Sequence, residues 1–261
     1  MIRRINFNEE PLGPYTEERI RKVWNVPKKV ETYAKPTIVK DGKRKVLQLS
    51  FPKGSFGQEH KVNWHMKFNK SYETLSCQYK IKFEKGFDFR RGGKLPGFAG
   101  GDKPAGGDHS DKGFTARIMW REKGDMHQYV YYPKDGKTWG TDFWWHDLCS
   151  KKMDQLKFKP GEWHTIKMKI KMNKFKKERN GKIGSWRGNG HIICWLDGKL
   201  ALHQDIQLRT RDCFKDKGKY KYGIDWFLFT VFFGGGDKTW APRKDCKMYF
   251  DEFIFSTEDI E

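Results

Sequence analysis

Four side chains between residues 92 and 133 have the chemistry needed to move a proton next to a carboxylate: Lys94, Arg117, Tyr129 and Tyr131. Arg117 offers a planar fork that grips a carboxylate through two N–H groups, whereas Lys94 offers a point charge or, with its pKa lowered, a base. A tyrosine whose phenolate is favoured by nearby cations can abstract a proton and return one to a leaving oxygen. Spacing alone does not single these residues out. Cations on strands commonly face solvent, and aromatics are common in strands; Tyr132 reads as a structural tyrosine of that kind.

What could bring the four together is strand pairing. Alternation places Thr115, Arg117 and Met119 on one face of residues 114–121, and Tyr129 and Tyr131 on one face of residues 128–132. Hairpin pairing would align the two rows. Strand-like runs recur at 45–51, 75–83, 163–172, 191–196, 227–233 and 247–255. In residues 165–172 Ile and Met alternate with Lys, the pattern of a half-buried strand with a basic solvated face. Turn chemistry punctuates the runs at Asp41-Gly42, Pro160-Gly161, Asn180-Gly181, Asn189-Gly190 and Asp197-Gly198, which describes an antiparallel meander rather than βαβ units. Only residues 16–24 have helical character, with Thr16 as N-cap. No repeat or Pro/Ser linker divides the 261 residues, so one domain over 1–261 is expected.

Composition bounds the partners. Aromatics make up 16 % of the chain, so ring side chains must fill much of the core. The formal net charge of +20 draws the molecule toward polyanions. No run approaches the length of a membrane span, and the first residues lack the apolar core of a signal peptide. Cys77, Cys149, Cys194, Cys213 and Cys246 are odd in number and lack zinc-finger spacing, which reads as buried free thiols.

Weaker candidates surround the main group. His60, His65 and His127 each have a side chain that titrates near neutrality, but a lone His is commonly structural. Ser55 and Gln58 follow a strand end and are candidates to line a cleft. Asp102, Asp108 and Asp111 lie about a Gly-rich loop after Lys94 that reads as a flexible lid, and their spacing fits no EF-hand. A structural Ca²⁺ at Asp251 and Glu252 is an open alternative.

Taken in order, Lys94-Leu95-Pro96-Gly97, Arg117-Ile118-Met119-Trp120-Arg121 and Tyr129-Val130-Tyr131 resemble polysaccharide lyase family 14, alginate and glucuronan lyases of marine molluscs and algal viruses. Similar stretches, such as Trp195-Leu196-Asp197-Gly198-Lys199 and Phe232-Phe233-Gly234-Gly235, extend the likeness over nearly the whole chain. The resemblance implies an all-β fold, a β-jelly roll of two antiparallel sheets with a concave substrate cleft. It implies β-elimination on a uronate-containing acidic polysaccharide, with Lys94, Tyr129 and Tyr131 catalytic, Arg117 and Thr115 binding substrate, and no cofactor or metal required. The family pattern has Ser where this chain carries Thr115, which keeps the hydroxyl and alters the subsite's shape.

Three other functions compete. A glycoside hydrolase would need two carboxylates flanking the bond, and no such pair alternates on these strands. A non-catalytic, lectin-like module would use the same aromatics and cations for binding alone. Nucleic-acid binding has the charge without a recognisable motif. The leading expectation is a monomeric lyase for extracellular wall polymers, virion-borne or released by lysis, with neither nucleic acid nor membrane as partner.

Overall fold

The computed structural model describes residues 2–28, 30–133, 138–177, 183–186, 188–214 and 220–260. All eight strand-like runs read from the sequence lie in strands, and the fold is the expected β-jelly roll. The Asn180-Gly181 turn and most of the basic stretch 215–221 lie outside the described residues.

Two antiparallel sheets face each other. The back sheet runs Lys199–Asp205, His191–Leu196, Trp163–Lys171, Thr74–Phe83, Cys246–Ser256, Arg44–Phe51, Thr37–Asp41 and Gly13–Pro14, with Arg3–Ile5 also paired to Cys246–Ser256. The cleft sheet runs Thr141–Trp144, Met126–Tyr131, Gly113–Trp120, Gly93–Gly101, Ile224–Phe233, Val62–Tyr72 and Glu31–Thr32.

Alternation explains how the sheets meet. In Trp163–Lys171 the side chains of His164, Ile166, Met168 and Ile170 are buried, while Lys167 and Lys169 point outward. Rings fill much of the space between sheets: Trp64 and Phe229 stack at 4.0 Å between centroids, and Trp24 meets Phe253 edge-on at 4.9 Å. Each such Phe contributes roughly 1.5–3 kcal/mol through burial. Trp24 is delivered by the helix Glu17–Trp24, whose first turn is capped by the Thr16 hydroxyl accepting from Arg19 N–H at 3.4 Å. The hairpin joining the two outermost back-sheet strands turns at Asp197 and Gly198, both with positive φ (50° and 80°), as an Asp-Gly type I′ turn requires.

One expectation changes. The Gly-rich stretch after Lys94 continues as the strand Gly93–Gly101 instead of opening into a loop. Its glycines serve close approach: a Cβ at Gly97 would lie 2.1 Å from the Ala116 carbonyl oxygen, and one at Gly100 would lie 1.9 Å from that of Gly223. Asp102, Asp108 and Asp111 lie in the loop that follows this strand, where Ser110 donates to Asp102 at 2.7 Å.

Candidate active site

The outward face of the cleft sheet floors a cleft of about 1130 Å³. Register assembles its centre from strands remote in sequence. Lys94 lies between Phe232 and Met119 across the sheet, and Met119 lies opposite His127. In the adjoining row Arg117 lies between Gly97 and Tyr129, and Tyr129 lies opposite Asp142. Gly97 allows the close approach of the Arg117 backbone, since a Cβ there would lie 2.7 Å from the Arg117 Cα.

Lys94, half-buried, donates to Met119 Sδ at 2.7 Å, and its Nζ lies 3.4 Å from the centre of the Tyr129 ring. Burial, reinforced by Arg117 and Arg121, pushes its pKa well below the ordinary lysine value, while Asp142 pulls it back. Arg117 is 5 % exposed, its Nε is unbonded, and no carboxylate pairs with it among the described residues. Burial works against its charge, and the two neighbouring phenols support it.

The phenol oxygens of Tyr129 and Tyr131 are 3.2 Å apart. Each also accepts a backbone N–H, Gly140 to Tyr129 at 3.0 Å and Gly107 to Tyr131 at 3.1 Å. Burial, then the hydrogen bond to Tyr131, raises the Tyr129 pKa, whereas Gly140 and Arg117 lower it less.

Two expected substrate residues have other work. Thr115 is fully buried and donates to the Pro104 carbonyl at 2.9 Å; Ser55 is 2 % exposed and donates to Pro52 at 2.7 Å. Neither lines the cleft, because a hydroxyl committed to a backbone carbonyl and covered by its own loop has no free face. The Thr115 bond and the Gly107–Tyr131 bond tie the segment after the Lys94 strand over the site at two points. Gln58 lines the cleft as expected, as do His60 and His65.

The histidines divide by environment. Burial and then Lys103 and Arg117 lower His65 to about 4, and its Nε2 lies 3.0 Å from Asn63 Oδ1, so it is neutral over the physiological range. His60 Nδ1 contacts the Phe56 carbonyl at 2.5 Å. His127 is fully buried on the face it shares with Tyr129, its Nε2 2.9 Å from Asp142 Oδ1 but out of line for a straight hydrogen bond. Burial lowers its pKa more than Asp142 raises it.

Sequence reading missed Asp142, Arg121 and Trp139. Asp142 receives Arg121 Nη2 at 3.2 Å, and burial, which alone would raise its carboxyl, is outweighed by His127, Arg121 and Lys94. Trp139, 60 % exposed, stands at the cleft wall. Nothing local marks them, although an exposed Trp beside a Gly is a weak sign of a sugar platform. The lining cations Lys61, Lys94, Lys103, Arg117 and Arg121 outnumber the lining carboxylates Glu59 and Asp142, so the cleft suits a polyanion.

The Ca²⁺ alternative meets a competing explanation at Asp251 and Glu252. Burial raises the Asp251 carboxyl, Arg44 lies 3.6 Å from it, and Glu252 pairs with Lys80 at 3.0 Å. Asp102, Asp108 and Asp111 do not converge into a metal-sized group among the described residues.

The sequence model of the family described as polysaccharide lyase 14 matches residues 39–253. The chain belongs to polysaccharide lyase family 14. That span contains the whole catalytic candidate group, and membership favours an enzyme over the carbohydrate-binding module. Solved structures share the fold of this family-14 chain. The alginate lyase of Aplysia kurodai is 21 % identical over 98 % of this chain and 99 % of its own, with a TM-score of 0.75. The alginate lyase of Chlorella virus is 24 % identical over 94 % and 98 %, TM-score 0.70. The alginate lyase Aly36B, a mutant in complex with alginate tetrasaccharide, is 19 % identical over 99 % and 97 %, TM-score 0.76. No curated protein matches the chain by sequence. As a polysaccharide lyase it acts on uronate-containing chains, since elimination needs an acidic hydrogen beside a carboxylate.

Proposed function

We propose that this family-14 lyase cleaves alginate-like or glucuronan-like polymers by β-elimination, with Tyr131 as base and acid. The carrying observation is the buried Arg117, without a carboxylate partner among the described residues, beside the paired phenols and the desolvated Lys94. A uronate carboxylate supplies the missing counter-charge. Arg117 grips it, and Lys94 takes up a proton as the anion arrives, so both meet the charge that develops when the C5–H bond breaks. Tyr131, its oxygen already accepting Gly107 N–H and facing the proton of Tyr129, takes the C5 proton as phenolate. The C5–H electrons form the C4=C5 double bond, the C4–O4 bond breaks, and Tyr131 returns the proton to O4. Tyr129 keeps its own proton and steadies the phenolate. Family membership and the similarity to alginate lyases support this reading.

The test is ultraviolet absorbance of unsaturated uronate during separate incubations with polymannuronate, polyguluronate and polyglucuronate. A rise with at least one polymer is expected. No rise with any of them from mildly acidic to alkaline pH would sink the proposal.

Lys94 gives a second expectation. Its pKa is depressed in the free protein and must rise when a carboxylate binds, so binding takes up a proton at any pH between the two values. Calorimetry of a saturated oligouronate in buffers of differing ionisation enthalpy should report net proton uptake, absent in Lys94→Met. Buffer-independent heats throughout the neutral and alkaline range would contradict it.

A further inference from the structure

The two outermost strands of the back sheet carry a side-chain group remote from the cleft. His191 lies directly opposite Asp205 in the register of His191–Leu196 with Lys199–Asp205, and His203 lies two residues before Asp205. On a sheet, a residue, its neighbour two positions away and the residue opposite share a face. The three side chains therefore meet. His191 Nδ1 is 2.6 Å from Asp205 Oδ1, the two imidazole rings are 5.5 Å apart edge to face, and one ligand atom from each residue lies within 4.8 Å of the others. No other three His, Cys, Asp or Glu residues converge in this way among the described residues.

We propose that His191, His203 and Asp205 form a surface site for one divalent transition-metal ion of the zinc, nickel and copper class, completed by water. Two imidazoles and a carboxylate suit these ions, whereas Ca²⁺ and Mg²⁺ prefer oxygen ligands throughout. The electrostatic setting is unusual for this back sheet. Its other outward acids are neutralised by side chains: Asp41 by Lys82 and Glu252 by Lys80. Asp205 pairs with no lysine or arginine among the described residues, despite the chain's net charge of +20; its partner is an imidazole.

The geometry needs little change. Ligands at about 2.0–2.2 Å from a tetrahedral ion lie about 3.3–3.6 Å from one another, so the widest separation must close by at most about 1.5 Å. His203 and Asp205 are exposed and His191 is half-buried, which leaves their side chains free to rotate by that amount. The bound ion would cross-link the outermost strand Lys199–Asp205 to its neighbour and so resist its peeling from the sheet.

The test uses the full chain stripped with a chelator, then titrated with ZnCl₂ under equilibrium dialysis and thermal melting. One Zn²⁺ per chain is expected, with a Tm rise of roughly 5 °C once free Zn²⁺ is about a hundred times Kd, and no comparable rise with MgCl₂ or CaCl₂. His203→Ala and Asp205→Asn, checked for parental circular dichroism, should each weaken binding at least tenfold and remove most of the Tm rise. The double variant His191→Ala with His203→Ala should abolish both. Absence of saturable Zn²⁺ binding by the parent, or undiminished binding by the double variant, would overturn the assignment.

Discussion

Tyr131→Phe is expected to lose about three orders of magnitude in kcat while still folding. General acid–base groups typically supply between ~10² and ~10⁴ in rate, and a thousandfold loss corresponds to about 4 kcal/mol of transition-state stabilisation. The hydroxyl contacts Gly107 N–H and the Tyr129 hydroxyl, so the fold loses only one or two hydrogen bonds, about 1 kcal/mol each. Tyr129→Phe should cost less, about a hundredfold, because the phenolate loses a donor while the base survives. The two variants are compared by initial rates of unsaturated-uronate formation and by melting temperature. Near-parental turnover in Tyr131→Phe alone would move the base to Tyr129; near-parental turnover in both would remove tyrosine from the chemistry.

Arg117→Met is expected to part activity from stability in the opposite direction. The guanidinium is buried, its Nε is unbonded and no carboxylate offsets its charge among the described residues, so the free protein carries the cost of desolvating it. Methionine fills much of the same space without that charge. Stability should hold or rise by about 1–2 kcal/mol, a Tm gain of a few degrees in a chain of this size. Turnover should fall about a thousandfold, because the charge that develops on the uronate carboxylate loses its fork. Arg117→Lys keeps a charge but not the bidentate grip, and should lie between the two in activity. A destabilised Arg117→Met with substantial activity would show that the guanidinium serves the fold rather than the substrate. Together the two variants separate a residue that moves a proton from one that waits for a carboxylate.

The all-β class is legible in the order of the amino acids alone. Alternation in Trp163–Lys171 and Gly113–Trp120 depends only on neighbours two positions away, and Asp-Gly and Asn-Gly pairs mark turns by their own backbone preferences, so both could be read locally. Lys94, Arg117, Tyr129 and Tyr131 were singled out by the resemblance to the family, whereas the side-by-side placement of Arg117 and Tyr129 needs only one hairpin and could be read locally. Tertiary structure decided the rest. Lys94 is placed between Met119 and Phe232, the latter 138 residues away, and only this pairing desolvates its amine and sets it over Tyr129. The donors to the two phenols are backbone amides of Gly107 and Gly140, which no side-chain pattern announces. Thr115 and Ser55 had the right hydroxyls, yet the chain folds so that those hydroxyls donate to the Pro104 and Pro52 carbonyls. Residue types state what a group can do, whereas the long-range pairing of strands fixes which groups stand within reach and which are already engaged.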